Sequence, residues 1–589
     1  MNVSRRDVLR RLGGMVALAG LYGGSRLITT PREAQILAAT EPSLIAEPRS
    51  SDLTSGSTAH GVGHGSVLEE GRGAPRSDQS APVADDRSAT TDRSQSDGAQ
   101  SKGSGDNDGG GSTAASEEAP QDSSPQGSEL SLSGAIGPID IPNGTVANIV
   151  GDVNLQGDVM VAGTLTGVDS FTLEGNGFQI MAHNGGRIRL VGRPKTGWAR
   201  VGDSVSGWSS GDRVAVAPMA AGDYSPKKGT WGGSWGSVGA PAGITLLNGA
   251  KVQAEVANLT RSITIRNVSR IMFMDGAGPA ELRHIAVVDS GDQPLGFYPI
   301  HFHLNGSSVS GSVVEGVVVE GGRNRAFVPH GSHGIQFRDC VAYNTRKKPF
   351  WWDPDTGNES FDIKYEKCLA MLVTQGSDPE EKFRLAGFEL GRARRSSAIN
   401  CASVAVQGQD DSGGFWWPGG QSLAPWDFRN NVSHNNEGHG YIVWQNTNED
   451  HFLSNCIAFR NSEGGVDHGA YKNQYRYEDL ILQENRSGVA VRLHANATDR
   501  GQMLKNIRTD GHLHVENHTL PTSAVHQHVG ATYSKVVYRE KGENPSHQEF
   551  VDCGLAMSDF DLGDIHPGST IRIVENGKVV AGWEKGSWS

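Results

Sequence analysis

The sequence predicts an all-β protein, a single-stranded parallel β-helix that follows a disordered linker. Beyond residue 130 the chain consists of short β-branched runs separated by Gly, Asn and Asp, which are the turn signals of all-β architectures. Glycine contributes 78 of the 589 residues, nearly double its ordinary share of roughly 7%. A collagen-like Gly-X-Y period is absent from the sequence, so the excess indicates flexible segments and tight turns.

An internal repeat decides between the all-β architectures. Its segments align on equivalent positions that are about 28 residues apart on average, namely Cys340, Cys368, Cys401, Asn431, Cys456 and Leu480. A β-sandwich needs turn signals about every 8–12 residues, and a propeller blade needs about 40 residues. Because one coil of a parallel β-helix tolerates turns of variable length, the irregular period favours that fold.

The same alignment accounts for four of the five cysteines, which share one position of the repeat. They are expected to form an inward column of small, apolar free thiols. A metal-thiolate or redox cluster is the alternative, but the sequence contains no CxxC pair. Cys553 falls outside the aligned column.

The first 40 residues are interpreted as a twin-arginine signal region. Residues 4–10 read SRRDVLR, and the Gly/Ala-rich run that follows them is too short for a permanent membrane helix. A basic amphipathic helix is the alternative. We therefore predict a secreted or cell-surface protein that is exported by the twin-arginine pathway and has no transmembrane helix in its mature form.

Residues 41–134 are predicted to be a disordered linker rich in Ser, Gly and Asp. The sequence has no aromatic residue between Tyr22 and Phe171, so this stretch cannot bury enough apolar surface to fold. The remainder divides into a β-rich segment at 135–290, a β-helix core at 291–510, and further coils or a cap at 511–589. Acidic residues exceed basic ones, with a net charge of −13, which argues against nucleic acid as a partner.

Stacking of the coils is expected to align chemically active side chains on one face. His301 and His303 are two residues apart and so share a strand face, and His330 follows one coil later. Later coils are expected to extend this strip with the candidate substrate-binding residues Trp351, Trp352, Trp416, Trp417 and Trp444. Sugar rings stack on aromatic faces, so the strip predicts a glycan-binding groove. In the alternative, the rings pack the core, because adjacent strand residues point in opposite directions.

The histidines allow three interpretations. They could bind a divalent metal such as Zn²⁺ or Ca²⁺ through His301, His303 and His330. His303 and His330 could instead act as a general acid and base, or the rings could form a hydrogen-bonded polar ladder. Asp353 and Asp410 are candidate catalytic carboxylates about two coils apart, which suits glycoside hydrolysis. Lyase chemistry would need a cation such as Lys348 to neutralise a uronate carboxylate.

Four motifs in order resemble the central region of a known family of hyaluronan-binding, cell-surface hyaluronidase and fibrocystin-like proteins. They are GFYPIHFHLNG at 296–306, NRAFVPHGSHGIQFRDCVAYNT at 324–345, FWWDPD at 350–355 and SAINCASVAVQGQDDSGGFWW at 397–417. Residues 197–219 and 269–291 are similar to the domain named for its eight glycines that precedes this region. The chain looks like a prokaryotic, exported relative.

The resemblance implies a right-handed parallel β-helix with an extracellular glycan as partner, and hyaluronan depolymerisation in some members. It transfers site roles to His301, His303, His330 and Asp353. Relatives commonly have Gly-His where this sequence has Lys347-Lys348. Two hypotheses follow: a glycosidase or lyase acting on an acidic, hyaluronan-like polysaccharide, and a non-catalytic protein that binds envelope glycans.

Overall fold

The predicted parallel β-helix is confirmed. The computed structural model describes residues 127–351, 359–376, 384–391, 394–408, 411–417, 426–444, 450–469, 474–494, 501–516, 524–540 and 544–589. Within these ranges the helical elements are short 3₁₀ turns at Trp235–Val238 and Met557–Asp559. The described residues include no helix with the length and apolar character that crossing a membrane requires.

The coils contribute strands to three faces, and successive strands on a face pair in parallel. Face 1 contains Thr164–Asp169, Arg187–Gly192, Glu281–Arg283, Val313–Glu315, Gln336–Arg338, Lys364–Glu366, Ser397–Ile399, Asp427–Arg429, Asp450–Ser454, Gln474–Glu478, Met503–Lys505, Val525–Val529, His547–Val551 and Thr570–Glu575. Face 2 contains Phe171–Glu174, Ile263–Arg266, Ile285–Val288, Val318–Glu320, Val341–Arg346, Leu369–Thr374, Ala402–Val406, Val432–His434, Ile457–Phe459, Ile481–Gln483 and Arg508–Thr509.

Face 3 carries the predicted site. It contains Ile139–Ile141, Val159–Val161, Gln179–Ala182, Arg270–Phe273, Ile300–Gly306, Phe327–Ser332, Phe350–Trp351, Ala386–Glu389, Gly413–Trp417, His439–Val443, Gly464–His468, Val489–His494, His512–Glu516, Lys535–Arg539 and Phe560–Asp564. Strands Glu129–Ile136 and Val146–Leu155 run through faces 1 and 2 of the first coils. After the last face 1 strand, Lys578–Glu584 and Ser587–Trp588 continue the sheet in antiparallel pairing.

A left-handed residue makes the bend between face 1 and face 2. Asp339, Asn400 and Asn455 adopt φ angles of 51°, 56° and 51°, a conformation that Asn and Asp tolerate better than most residues. The bend turns the next side chain inward, and Cys340, Cys368, Cys401 and Cys456 are consequently buried free thiols. The predicted inward cysteine column is confirmed.

Cys553 occupies the same place as the other cysteines, which corrects its exclusion from the column. It follows the left-handed Asp552, and its Sγ lies 3.4 Å from the carbonyl oxygen of Val551. Cys340 has the same contact with the carbonyl two residues before it, at 3.4 Å. The alignment missed Cys553 because Ile507 and Ala531 fill the equivalent buried places in the two preceding coils.

A β-sheet insertion leaves the helix after the face 1 strand Arg187–Gly192. Its antiparallel sheet orders the strands Lys227–Thr230, Arg213–Val216, Glu255–Asn258 and Trp198–Arg200, with the pair Ile244–Thr245 and Lys251–Val252 beside it. The insertion packs on outward side chains of face 2, among them Tyr343, Met371 and Phe459. Face 2 strands beneath the insertion, such as Leu369–Thr374 and Ala402–Val406, are therefore largely buried on both sides and rich in apolar residues.

These contacts revise the expected division of the chain. Parallel pairing begins at Glu129–Ile136 and runs through the 290/291 boundary, so the region is one β-helix with an insertion. The sequence suggested a boundary because the insertion interrupts the coil repeat for about 70 residues. Residues 511–589 contribute both further coils and the antiparallel end.

Candidate functional site

Strand Ile300–Gly306 positions the first two histidines. Ile300 and Phe302 are fully buried in the core, so the alternating residues His301 and His303 point outward from face 3. His303 pairs with His330 in the neighbouring strand Phe327–Ser332. The predicted juxtaposition of the three histidines is therefore confirmed.

The three imidazoles converge closely. Nδ1 of His303 lies 3.1 Å from Nδ1 of His330, and one ring nitrogen from each histidine lies within 4.8 Å of the others. Nδ1 of His301 lies 3.1 Å from the carbonyl oxygen of Gly296, so that nitrogen carries the proton and Nε2 keeps its lone pair. In the described part of the chain, the buried Nε2 of His301 has no hydrogen-bond partner.

Burial favours the neutral form of His301 and His303, because it lowers the pKa of both rings. Desolvation, followed by the positive charges that His303 and His330 would carry, lowers the pKa of His301 well below its usual value. Desolvation and the neighbouring His330 also lower the pKa of His303. Neutral imidazoles present lone pairs, which is the form that binds metal ions.

The outward row of face 3 continues from the histidines into aromatic and charged residues. Strand pairing puts Trp351 next to Glu389, and Glu389 next to Trp416. Nζ of Lys348 lies 2.6 Å from a carboxylate oxygen of Glu389 and 4.1 Å from the ring centre of Trp416. The guanidinium of Arg325 lies 4.0 Å from the ring centre of Trp351.

The aromatic residues do not form the open line that the sequence suggested. Trp351 and Trp416 point outward, but each is only 6% exposed, because Arg325 and Lys348 lie over their rings. The prediction that Trp417 binds substrate is wrong. It is 1% exposed and lies in the core, with its ring centre 4.7 Å from that of Phe428.

Trp444 lies beside Trp416, with ring centres 6.4 Å apart. The predicted Trp352, Asp353 and Asp410 lie outside the described residues. Sequence reasoning missed Glu389, which is 2% exposed and carries the carboxylate nearest Trp416 in the row. Counting coils forward from Trp351 could have identified it, because Glu389 occupies the same place one coil later.

Residues 267–382 match the family model of the CEMIP beta-helix. The chain is 25% identical over 218 residues to the mouse cell migration-inducing and hyaluronan-binding protein, covering 30% of this chain and 15% of the relative. It is 22% identical over 220 residues to the human cell surface hyaluronidase CEMIP2, covering 30% of this chain and 16% of the relative. The chain therefore aligns with about a sixth of the length of each relative.

The CEMIP beta-helix match contains the histidine cluster, Lys348 and Trp351. Glu389 and Trp416 lie beyond its end. The likeness thus supports the resemblance inferred from the motifs, and the matched residues include all three histidines.

Proposed function

We propose that this protein is exported and that it binds and cleaves an acidic, hyaluronan-like glycan on the outward side of face 3. In this proposal His301, His303 and His330 hold a divalent metal. The observation that carries it is the convergence of three imidazoles from two adjacent rungs. The two relatives are named for hyaluronan binding and for hyaluronidase activity, which supports this class of glycan.

The donor set of the cluster fits a metal of the zinc type. Zinc–nitrogen bonds of about 2.0–2.1 Å in a tetrahedral site hold two ligand nitrogens roughly 3.3 Å apart. The His303–His330 separation of 3.1 Å is close to that value, and a small side-chain rotation would bring His301 into range. Three nitrogen ligands suit Zn²⁺ better than Ca²⁺, which prefers oxygen.

The surrounding residues suit an acidic sugar. A metal at the cluster would supply Lewis-acid chemistry, and three histidine ligands leave a fourth position for substrate. Arg325 brings a positive charge beside Trp351, whereas Lys348, which lies over Trp416, is paired with Glu389. Arg325 would orient the carboxylate of a uronate unit, because charge-assisted hydrogen bonds are strong in a buried setting.

A second candidate is a glycan-binding protein without catalytic activity. One observation favours it: Lys348 is engaged with Glu389 and Trp416, at a position where the family resemblance implies a histidine. If that histidine takes part in cleavage elsewhere, this site would bind its glycan without turnover.

The test combines metal analysis with hyaluronan depolymerisation. We expect one zinc per mature protein, shortening of hyaluronan on size-exclusion chromatography, and loss of both in His303→Ala and His330→Ala. His183→Ala is the matched control, because His183 follows the face 3 strand Gln179–Ala182 two rungs away. An unsaturated product end, detected by ultraviolet absorbance, would identify a lyase.

Binding of hyaluronan without shortening would favour the non-catalytic candidate. Protein that contains no metal after zinc loading would contradict the metal site. Absence of both binding and cleavage across hyaluronan, chondroitin and alginate would overturn the glycan proposal as a whole.

A further inference from the structure

A second polar cluster lies farther along the same row of face 3. Strand pairing continues the row from Trp416 through Ile442 to Asp467 and then Arg492. We call the group formed by His439, Asp467, Arg492, His494 and Glu516 the Asp467 cluster. It lies outside the CEMIP beta-helix match.

Charged atoms of the cluster surround one carboxylate. Asp467 lies 3.6 Å from Nη1 of Arg492 and 3.7 Å from Nε2 of His494. Its other oxygen lies 3.9 Å from Nε2 of His439. Glu516 lies 3.1 Å from Nε of Arg492 and 3.9 Å from Nε2 of His494. The two carboxylates therefore share His494 as a neighbour.

Asp467 and Arg492 are buried, at 2% and 7% exposed. Within the described ranges, Oδ1 of Asp467 and Nη1 of Arg492 lack a hydrogen-bond partner. Charge-assisted pairs normally close to about 2.7–2.9 Å, and buried unsatisfied charges are costly. The geometry is therefore that of a site completed by a ligand with both donors and acceptors.

The protonation states define what the ligand must supply. Burial raises the pKa of Asp467, but Arg492, His439 and His494 together outweigh that effect and hold the pKa well below the usual range. Asp467 is thus an acceptor. The backbone N–H of Gly464 donates to Nδ1 of His439 at 3.2 Å, so the proton of the neutral ring lies on Nε2, the atom facing Asp467.

Sugar hydroxyls match this requirement better than other ligand classes. A hydroxyl group donates one hydrogen bond and accepts others, so it can bond to Asp467 and Arg492 together. The positive charge of Arg492 would repel a metal ion. The carboxylates of Asp467 and Glu516 would repel a uronate carboxylate, and Arg492 is the single permanent positive charge of the cluster that would attract it.

We infer that the Asp467 cluster is a second saccharide site, which takes the hydroxyl groups of an uncharged sugar ring. The inference rests on the proposed glycan function. Val328 lies beside His301 in the row. Asp467 lies five rungs farther along the row than Val328. Five rungs correspond to about 24 Å. One polysaccharide chain lying along face 3 could reach both sites. His494, whose side chain is 15% exposed, is the most exposed member of the cluster.

The test measures binding of hyaluronan oligosaccharides and of a neutral N-acetylglucosamine tetramer by calorimetry. Asp467→Asn keeps the shape of the side chain and removes its charge, and we expect its affinity for both probes to fall at least about tenfold. Glu516→Gln is the second variant and should weaken binding in the same direction. Asp561→Asn is the matched control in the same row, because Asp561 pairs with Lys535 at its surface; its affinities should not change.

Thermal unfolding without ligand separates a binding site from a structural ion network. A binding site predicts that Asp467→Asn keeps or raises the melting temperature while affinity falls. A lower melting temperature with unchanged affinity would overturn the inference. If the wild-type protein binds neither probe nor any acidic glycan, the proposed function itself fails. If it binds and His303→Ala weakens binding while Asp467→Asn does not, only the second site is wrong.

Discussion

Two sets of coils in this β-helix have the same backbone plan and different interiors. From Arg270 to Trp417 the core is an aromatic ladder, in which Phe350 and Phe388 stack with ring centres 4.4 Å apart and Phe388 and Phe415 at 4.7 Å. From Asp450 to Val551 the equivalent interior holds buried histidine and tyrosine side chains: His451, His468, Tyr475, Tyr477, His526 and His528. We refer to these as the phenylalanine coils and the histidine coils.

The comparison shows that the coil is specified by its turns and its pairing, while the interior can change chemistry. Left-handed residues bend both sets at the same place, as at Asp339 and Asn455. In the histidine coils some of the polar side chains pair with one another within the core. Nδ1 of His468 lies 2.6 Å from the hydroxyl of Tyr477, and Nε2 of His528 lies 3.0 Å from Oε1 of Gln548. Such groups are stable only while the imidazoles remain neutral.

The largest expected difference between the two sets is their response to acid. Desolvation lowers the pKa of His451 and of His526 to about 3, and that of His528 to about 4. The unfolded chain binds these protons near pH 6.5, whereas the folded chain excludes them. Stability should therefore be unaffected above that pH and fall as the pH drops toward 3, by roughly 5–8 kcal/mol between pH 7 and pH 4.5. Limited proteolysis with mapped cleavage sites at both pH values should show the histidine coils opening first.

His451→Phe tests the cause. Its ring would lie beside Tyr475, which His451 already approaches at 4.9 Å, and it cannot be protonated. The variant should lose less stability between pH 7 and pH 4.5 than the wild type, by about 2–3 kcal/mol. An unchanged loss, equal to that of the control His183→Ala, would contradict the assignment of acid sensitivity to the interior histidines.

Removing one phenylalanine from the ladder is expected to change stability less than the acid response of the histidine coils does. Phe388 is fully buried between Phe350 and Phe415, so Phe388→Ala removes two stacking contacts and leaves a cavity. We expect a loss of about 3–5 kcal/mol in the free energy of unfolding, independent of pH. Denaturant unfolding at pH 7 and pH 5 measures it. A loss that grows at the lower pH would show that the two sets of coils are not energetically distinct.

The sequence could predict the parts of this molecule that follow from the repeat. The coil period aligned four cysteines, and the spacing of His301, His303 and His330 on a strand was enough to place them together. The insertion could not be predicted in the same way, because its contacts join distant residues. Nε2 of His434 meets Glu255 at 2.9 Å across 179 residues, and no local pattern encodes that pairing.

The alternation of side chains along a strand explains why the prediction for Trp417 was wrong. Adjacent strand residues point to opposite sides, so either member of Trp416 and Trp417 was compatible with the groove. The core residue Phe388 pairs with Phe415, so Phe415 points inward. Trp417, two residues later on the same strand, therefore points inward as well. Glu389 and Asp467 were missed for a related reason. Each is one polar residue in a buried strand. Its possible chemical role becomes visible only when its neighbours in other coils are known.

The smallest expected difference concerns the cysteine column, which crosses both sets of coils. Cys401 is fully buried and its Sγ lies 3.5 Å from the carbonyl oxygen of Ile399. Cys553 is half-buried near the end of the histidine coils. Serine in place of cysteine puts a more polar hydroxyl at each site, so Cys401→Ser should cost about 1–2 kcal/mol and Cys553→Ser a few tenths. Paired denaturant unfolding curves at pH 7 give the difference. Equal losses would mean that the column is packed alike along its length, and that the contrast between the two sets of coils does not extend to their shared turn.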